Sequence, residues 1–265
     1  MKPWFAFALL TLTTLAHAEL KKSTVEYKDG DQTLKGYLVY DDANTAKRPG
    51  ILVVHEWWGL NDYIKHRCDQ LAELGYVAFA PDIYGDGFST ADPKQAQQKM
   101  EQAVKNNWRR TRGKLGLEQL LNSDQVDPNN VAVIGYCFGG GVALEMARAG
   151  DDLKGVVSFH GSLATNQPAK QGEVKPKILI CAGASDPFAP AAQVATVEKE
   201  FKDAGADVKV ITYPDAKHAF TNPDADKFGI EGIAYNKAAD EKSWADMKAF
   251  FAEIFGAANP KPAGS

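Results

Sequence analysis

Apolar residues recur along this chain in two rhythms. Over 24–27 and 34–40 they alternate with polar ones, which predicts two half-buried strands joined at the turn Asp29-Gly30-Asp31 as an antiparallel start. Six short runs follow in which nearly every position is apolar: 50–55, 77–80, 131–134, 155–159, 178–182 and 208–212. A strand apolar on both sides must be covered on both faces, the signature of a mostly parallel sheet. The intervening stretches 63–74, 93–106, 111–122, 142–149, 191–204 and 240–255 carry apolar residues at helical spacing. Strands and helices in alternation predict an α/β fold, with a mostly parallel central sheet and helices on both faces. Ligands of such sheets bind beyond the carboxyl ends of the strands.

The ends of the chain read differently. Lys2, an apolar stretch over 4–15 and the small-residue series Ala16-His17-Ala18 form a signal-peptide pattern. The stretch is too short and threonine-rich to span a bilayer. We expect residues 1–18 to be removed, the mature chain to begin at Glu19, and the protein to be periplasmic or secreted in a bacterium. Residues 19–258 have the length of one α/β domain. The proline- and glycine-containing end, 259–265, is expected to be disordered. The formal charge is −4 and no basic stripe is present, so neither nucleic acid nor membrane is an expected partner. The short cluster Trp108-Arg109-Arg110-Thr111-Arg112 reads as an exposed helix start.

The candidate chemistry begins at Gly135-Tyr136-Cys137-Phe138-Gly139. A β-run precedes it and a helical run follows. This is the strand–turn–helix context of a nucleophile elbow, with cysteine where serine is usual. Its turn is tight, so the flanking positions must lack side chains. The plain alternative is a buried cysteine beside a glycine-rich turn. Downstream, the strand at 177–183 runs into Asp186, and the strand at 208–213 runs into His218. Nucleophile, acid and base in that order mark an α/β-hydrolase arrangement. His218 would take the thiol proton and later protonate the leaving group, and Asp186 would hold the imidazole tautomer. His160 also follows a strand but precedes Asp186. It is expected to line the pocket rather than act as the base.

These pieces, with Val53-Val54-His55-Glu56-Trp57-Trp58-Gly59-Leu60 and Ala80-Pro81-Asp82-Ile83-Tyr84, resemble the dienelactone hydrolase family across nearly the whole mature chain. The resemblance implies a compact α/β-hydrolase fold and a Cys137-Asp186-His218 triad. It implies that Glu56 sits beside the nucleophile and accepts a hydrogen bond from the resting thiol. It also implies an oxyanion hole made by the backbone amides of Trp57 and Phe138. Glu56 could otherwise be a solvated loop carboxylate.

The chain departs from the founding enzymes of that family where the substrate carboxylate is held. Those carry an arginine after the Pro-Asp-hydrophobic-Tyr segment and another after the catalytic His-x-Phe. Here the stretches continue Gly85-Asp86-Gly87 and Thr221-Asn222-Pro223. Guanidinium is the usual clamp for a carboxylate, so a neutral ester or lactone is the expected small-molecule substrate. Trp57, Trp58, Tyr84 and Phe88 could wall the pocket, or could be core packing. Cys68 and Cys181 read as a helix residue and a packed strand residue. Their spacing indicates neither a metal site nor a required disulfide. No cofactor is implied, and the chain is expected as a monomer or small homo-oligomer. The expected activity is cysteine-based hydrolysis through a thioester. Hydrolysis of neutral phosphotriesters on the same triad is the alternative, and a non-catalytic binding protein of the same fold a more distant one.

Overall fold

The computed structural model describes residues 20–260; the expected signal peptide lies outside them. Strands β1 (Leu20–Asp29) and β2 (Gln32–Asp41) form the antiparallel start. Then come β3 (Arg48–Val54), α1 (Asp62–Glu73), β4 (Val77–Ala80), α2 (Pro93–Lys105), α3 (Trp108–Leu121), β5 (Val126–Tyr136) and α4 (Phe138–Arg148). The chain continues with β6 (Gly155–Phe159), β7 (Lys177–Gly183), α5 (Ala191–Asp203), β8 (Val208–Tyr213) and α6 (Lys237–Phe255). The strands make one eight-stranded sheet in the order β1-β2-β4-β3-β5-β6-β7-β8. From β4 to β8 all neighbours are parallel; β1 and β2 join antiparallel.

The continuous apolar runs divide cleanly between two faces, because side chains alternate along a strand. Leu52 and Val54 of β3 face the core formed with α3, α4 and α5, whereas Ile51 and Val53 face the core formed with α1 and α6. Ile178 and Ile180 of β7 split from Leu179 and Cys181 in the same way. From β3 the chain goes first to β4 on one side, then to β5 on the other. This reversal opens a crevice at the strand ends between β3 and β5, and Glu56 and Cys137 stand there.

Three expectations change. The first is strand β5, which begins at Val126 instead of 131: Val126 and Asp127 pair with Arg48 and Pro49 before a register shift at Pro49/Gly50. Polar Asp127, Asn129 and Asn130 hid that extension. Strand β8 is the sheet edge and is only partly buried. The third change concerns the arginine cluster, which starts α3 but is not exposed. Arg112 is buried, donates to Asp29 (2.7 Å) and the Ile83 carbonyl (3.1 Å), and lies over the Trp108 ring. Arg109 is buried and Arg110 partly so, both beside Glu145. Of the expected disordered tail, Asn259 and Pro260 are described: Asn259 accepts from the Tyr76 hydroxyl, and Pro260 packs on Gly75. Cys68, Cys137 and Cys181 are all unpaired.

Candidate active site

The elbow is a steric consequence of its glycines. A Cβ on Gly135 would lie 2.0 Å from the Gly139 carbonyl oxygen, and one on Gly139 would lie 2.2 Å from that of Val54. With both absent, α4 starts hard against β5, and Cys137 is held at φ 53°. That left-handed conformation is costly for a side-chain-bearing residue, and such strain clusters at functional sites. It turns the sulfur into a cavity at the sheet's carboxyl edge.

His218 and Asp186 meet Cys137 there. Asp186, after β7, accepts two backbone N–H groups on Oδ1, from Phe188 (2.8 Å) and Ala189 (3.1 Å). Its Oδ2 accepts the Nδ1–H of His218 at 2.8 Å. That bond fixes the tautomer and leaves Nε2 for the sulfur. Burial pulls the His218 pKa down, but the Cys137 sulfur and then the Asp186 carboxylate push it up by more, to about 10.

Among the described residues, the backbone N–H groups of Trp57 and Phe138, next to Glu56 and Cys137 in the chain, have no protein acceptor. In a trans peptide the N–H points opposite to the preceding C=O, so pinning the carbonyl aims the amide. The Glu56 carbonyl accepts from His55 Nδ1 (2.6 Å) and Gly59 N–H (3.2 Å). The Cys137 carbonyl accepts from Ser162 N–H (2.9 Å) and Gly141 N–H (3.3 Å). Phe138 adds the positive end of α4.

Glu56 is fully buried at this edge, but its partner is not the thiol. Its Oε2 accepts from the Asn222 amide at 2.7 Å, because the chain after His218 folds inward and brings Asn222 across. Burial pushes the Glu56 carboxyl up to about 7, against the downward pull of the Asn222 hydrogen bond and of the positive charge on His218 and Arg67. A carboxyl raised in the folded state contributes stability that is present below its ordinary value of 4.5 and lost as pH rises through 7. Glu56→Gln removes that loss and still accepts from Asn222. In chemical denaturation it should be more stable than wild type at about pH 8, by about 3 kcal/mol, and close to it at about pH 5. A gap that does not change with pH would contradict the raised carboxyl.

The cavity holding Cys137 and His218 has a volume of about 210 Å³. Its apolar walls are Trp57, Met100, Phe188, Ile230 and Ile233, with Ser162 beside them. Of the anticipated wall residues only Trp57 is one. Trp58 is buried against Phe228 (4.3 Å between rings) and lines a separate cavity. Tyr84 is buried behind Phe138, and its hydroxyl has no partner. Phe88 packs on Tyr84, with Lys99 over its ring. His160 is buried beneath the elbow. The walls that sequence reasoning missed come from elements distant in sequence. Ile230 and Ile233 lie in a loop that doubles back to bond the His218 backbone (His218 N–H to Gly232 O, 3.1 Å). Phe188, 53% exposed, stands over the His218 ring at 5.2 Å. The one signal for Phe188, Ile230 and Ile233 was apolar residues in loops that belong to no periodic element, whereas Met100 lies on α2.

Residues 34–255 match the family described as the dienelactone hydrolase family. The chain belongs to that family. Members act on ester bonds, so this dienelactone hydrolase family protein is an enzyme and not merely a binding protein of the same fold. Protein usf of Aquifex pyrophilus is 30% identical over 237 residues, 86% of this chain and 97% of its own length. A Yersinia pestis protein described as a candidate carboxymethylenebutenolidase is 29% identical, covering 72% of this chain and 75% of its own. Among solved structures, one named m3DLH has a TM-score of 0.85 at 35% identity, covering 89% of this chain and 99% of its own. A dienelactone hydrolase-like promiscuous phosphotriesterase from metagenomic libraries has a TM-score of 0.84 at 34% identity, with coverages of 89% and 98%.

Proposed function

We propose that this protein hydrolyses small neutral carboxylic esters or lactones through a thioester on Cys137. The observation that carries the reading is the alignment Asp186–His218–Cys137 at the mouth of an apolar cavity flanked by the unpartnered amides of Trp57 and Phe138. The Cys137 thiolate attacks the acyl carbon, and the oxyanion falls between the two amides. Collapse expels the alcohol or enol, which takes its proton from His218 Nε2. His218 then deprotonates water, which attacks the thioester. The acid leaves and the thiolate–imidazolium pair is restored.

The neutral preference is supported by the walls. Among the described residues, no lysine or arginine lines the cavity. Lys217, next to the base, points to solvent. Thr221 and Asn222, which stand where the family's founding enzymes place an arginine, turn inward to His160 and Glu56. An anion entering here loses hydration and meets no cation beyond His218, whose charge Cys137 and Asp186 already balance. Neutral aryl esters should outperform a matched carboxylate-bearing analogue by at least about tenfold in kcat/KM, the scale of one missing charge-assisted contact. Equal turnover of the two at one pH and moderate salt would sink the neutral-pocket reading.

A second reading has its own support. The same uncharged cavity accommodates a neutral dialkyl aryl phosphate, and a structural neighbour at 34% identity is a promiscuous phosphotriesterase. Ratios of kcat/KM for an aryl acetate and a dialkyl aryl phosphate with the same leaving group rank the two activities.

We also propose export, on the pattern Lys2, residues 4–15 and Ala16-His17-Ala18. N-terminal sequencing of protein expressed with its leader should begin at Glu19. Uncleaved protein confined to the cytoplasmic fraction would count against it.

A further inference from the structure

His160 is the buried histidine that the mechanism above leaves unused. It follows β6 at φ 39°, and its ring lies buried under the elbow, edge-on to the His218 ring with 5.3 Å between centroids. Its Nδ1 accepts the Cys137 backbone N–H at 3.2 Å, alongside the Phe159 carbonyl at 3.0 Å. An imidazole that accepts on Nδ1 carries its proton on Nε2. That proton points at the Thr221 hydroxyl, 2.7 Å away. The Thr221 and Tyr63 hydroxyls share a hydrogen bond of 2.7 Å in which either oxygen can donate, and Tyr63 also accepts from Arg67 Nε at 3.3 Å. Arg67 holds the Thr221 carbonyl (2.6 Å) and Asp240 (2.5 Å). The Cys137 N–H on Nδ1 fixes the His160 tautomer, and Thr221, Tyr63 and Arg67 hold the ring in place.

Two ends of the active site are joined by it. Thr221 lies three residues after His218, on the same inward-folding loop. The segment that starts at His160 holds both peptide groups of Cys137: His160 takes its N–H, and Ser162 N–H binds its C=O. The second of those peptide planes carries the Phe138 amide.

We infer that His160 is a positioning residue: set in one tautomer by the Cys137 N–H and held there by Thr221, it clamps the strained elbow and ties the loop of His218 to the peptide that aims the Phe138 amide. The inference rests on the proposed acyl transfer. Burial, and next the charge of His218, hold the imidazole well below its ordinary pKa, so it stays the neutral acceptor the geometry requires.

The test separates amide aiming from thiol reactivity. Acyl transfer needs the oxyanion amides, whereas alkylation of Cys137 by iodoacetamide needs only the thiolate. His160→Ala should lower kcat on a neutral aryl ester about tenfold or more, the scale of one hydrogen bond, with KM and the alkylation rate within about twofold of wild type. His160→Asn places an acceptor near the Nδ1 position and tolerates positive φ, so it should recover most of kcat. Thr221→Val should lower kcat in the same way, and the double variant H160A/T221V should be no worse than H160A. Should H160A fail to fold, T221V alone carries the test: lower kcat with unchanged alkylation supports the clamp, and unchanged kcat overturns it. Unimpaired H160A, H160N no better than H160A, additive losses in the double variant, or alkylation falling in step with turnover would each overturn the clamp. Wild-type protein that alkylates but cleaves no ester would overturn acyl transfer itself, and this inference with it.

Discussion

Cys137→Ala should lower ester turnover by at least about 10⁵-fold, the scale seen when a covalent nucleophile is removed from an intact triad, and should leave the fold unchanged. The elbow conformation at φ 53° is equally strained for alanine and cysteine, since both carry a Cβ. The lost sulfur lines an open cavity, so no sealed void is left in the core. Cys137→Ser should retain weak activity, because a hydroxyl needs far stronger deprotonation than a thiol. The other two cysteines make the complementary labelling experiment sharp. Burial pushes the Cys68 thiol well above its ordinary pKa and the Cys181 thiol up to about 12, so neither is a thiolate near neutral pH. Mass spectrometry after reaction with an electrophilic ester or phosphotriester should place the adduct on Cys137. Label confined to Cys68 or Cys181 would remove the nucleophile from this scheme.

Asp186→Asn should cost about 10³–10⁴-fold in kcat, the scale of a triad held in the wrong tautomer. The structure dictates which way the new amide turns. The backbone N–H groups of Phe188 and Ala189 both donate to Oδ1, so the asparagine must keep its oxygen there. Its NH2 then faces His218 Nδ1, which must become an acceptor, and the ring proton moves to Nε2 opposite Cys137. The imidazole can no longer accept the thiol proton. KM should change little, because Asp186 does not line the cavity. The iodoacetamide reaction of Cys137 near neutral pH should slow as well, because thiolate formation is what the carboxylate supports. A variant with kcat within about tenfold of wild type would mean that Asp186 orients nothing of consequence.

The large effects expected at Cys137 and Asp186 come from parts of the site that were legible along the chain. Smaller and more specific effects, at Glu56 and His160, come from parts that were not. Glu56 was anticipated at the crevice, yet its partner is Asn222, 166 positions away. His160, expected from its strand-end position to line the pocket, lies under the elbow instead, where its Nδ1 meets the Cys137 N–H. The aromatic walls anticipated at Trp58, Tyr84 and Phe88 are packing residues. Phe188, Ile230 and Ile233 took their place because the loops after Asp186 and His218 fold back over the cavity.

The apolar strands, the amphipathic helices between them, the glycine-flanked elbow and the standing of Cys137, Asp186 and His218 just after strands are legible along the chain. Each rests on physics contained within about ten neighbouring residues: side-chain periodicity, the room a missing Cβ leaves, and the conformation a turn demands. Which loop residues line the cavity, which donor meets Glu56, the burial of Arg109 and Arg112 against acidic partners, and the reach of His160 to the Cys137 amide follow from the assembled fold. Those outcomes depend on buried polar groups finding partners across the chain. The need for a partner is set locally, but its identity follows from which segments the sheet order brings together.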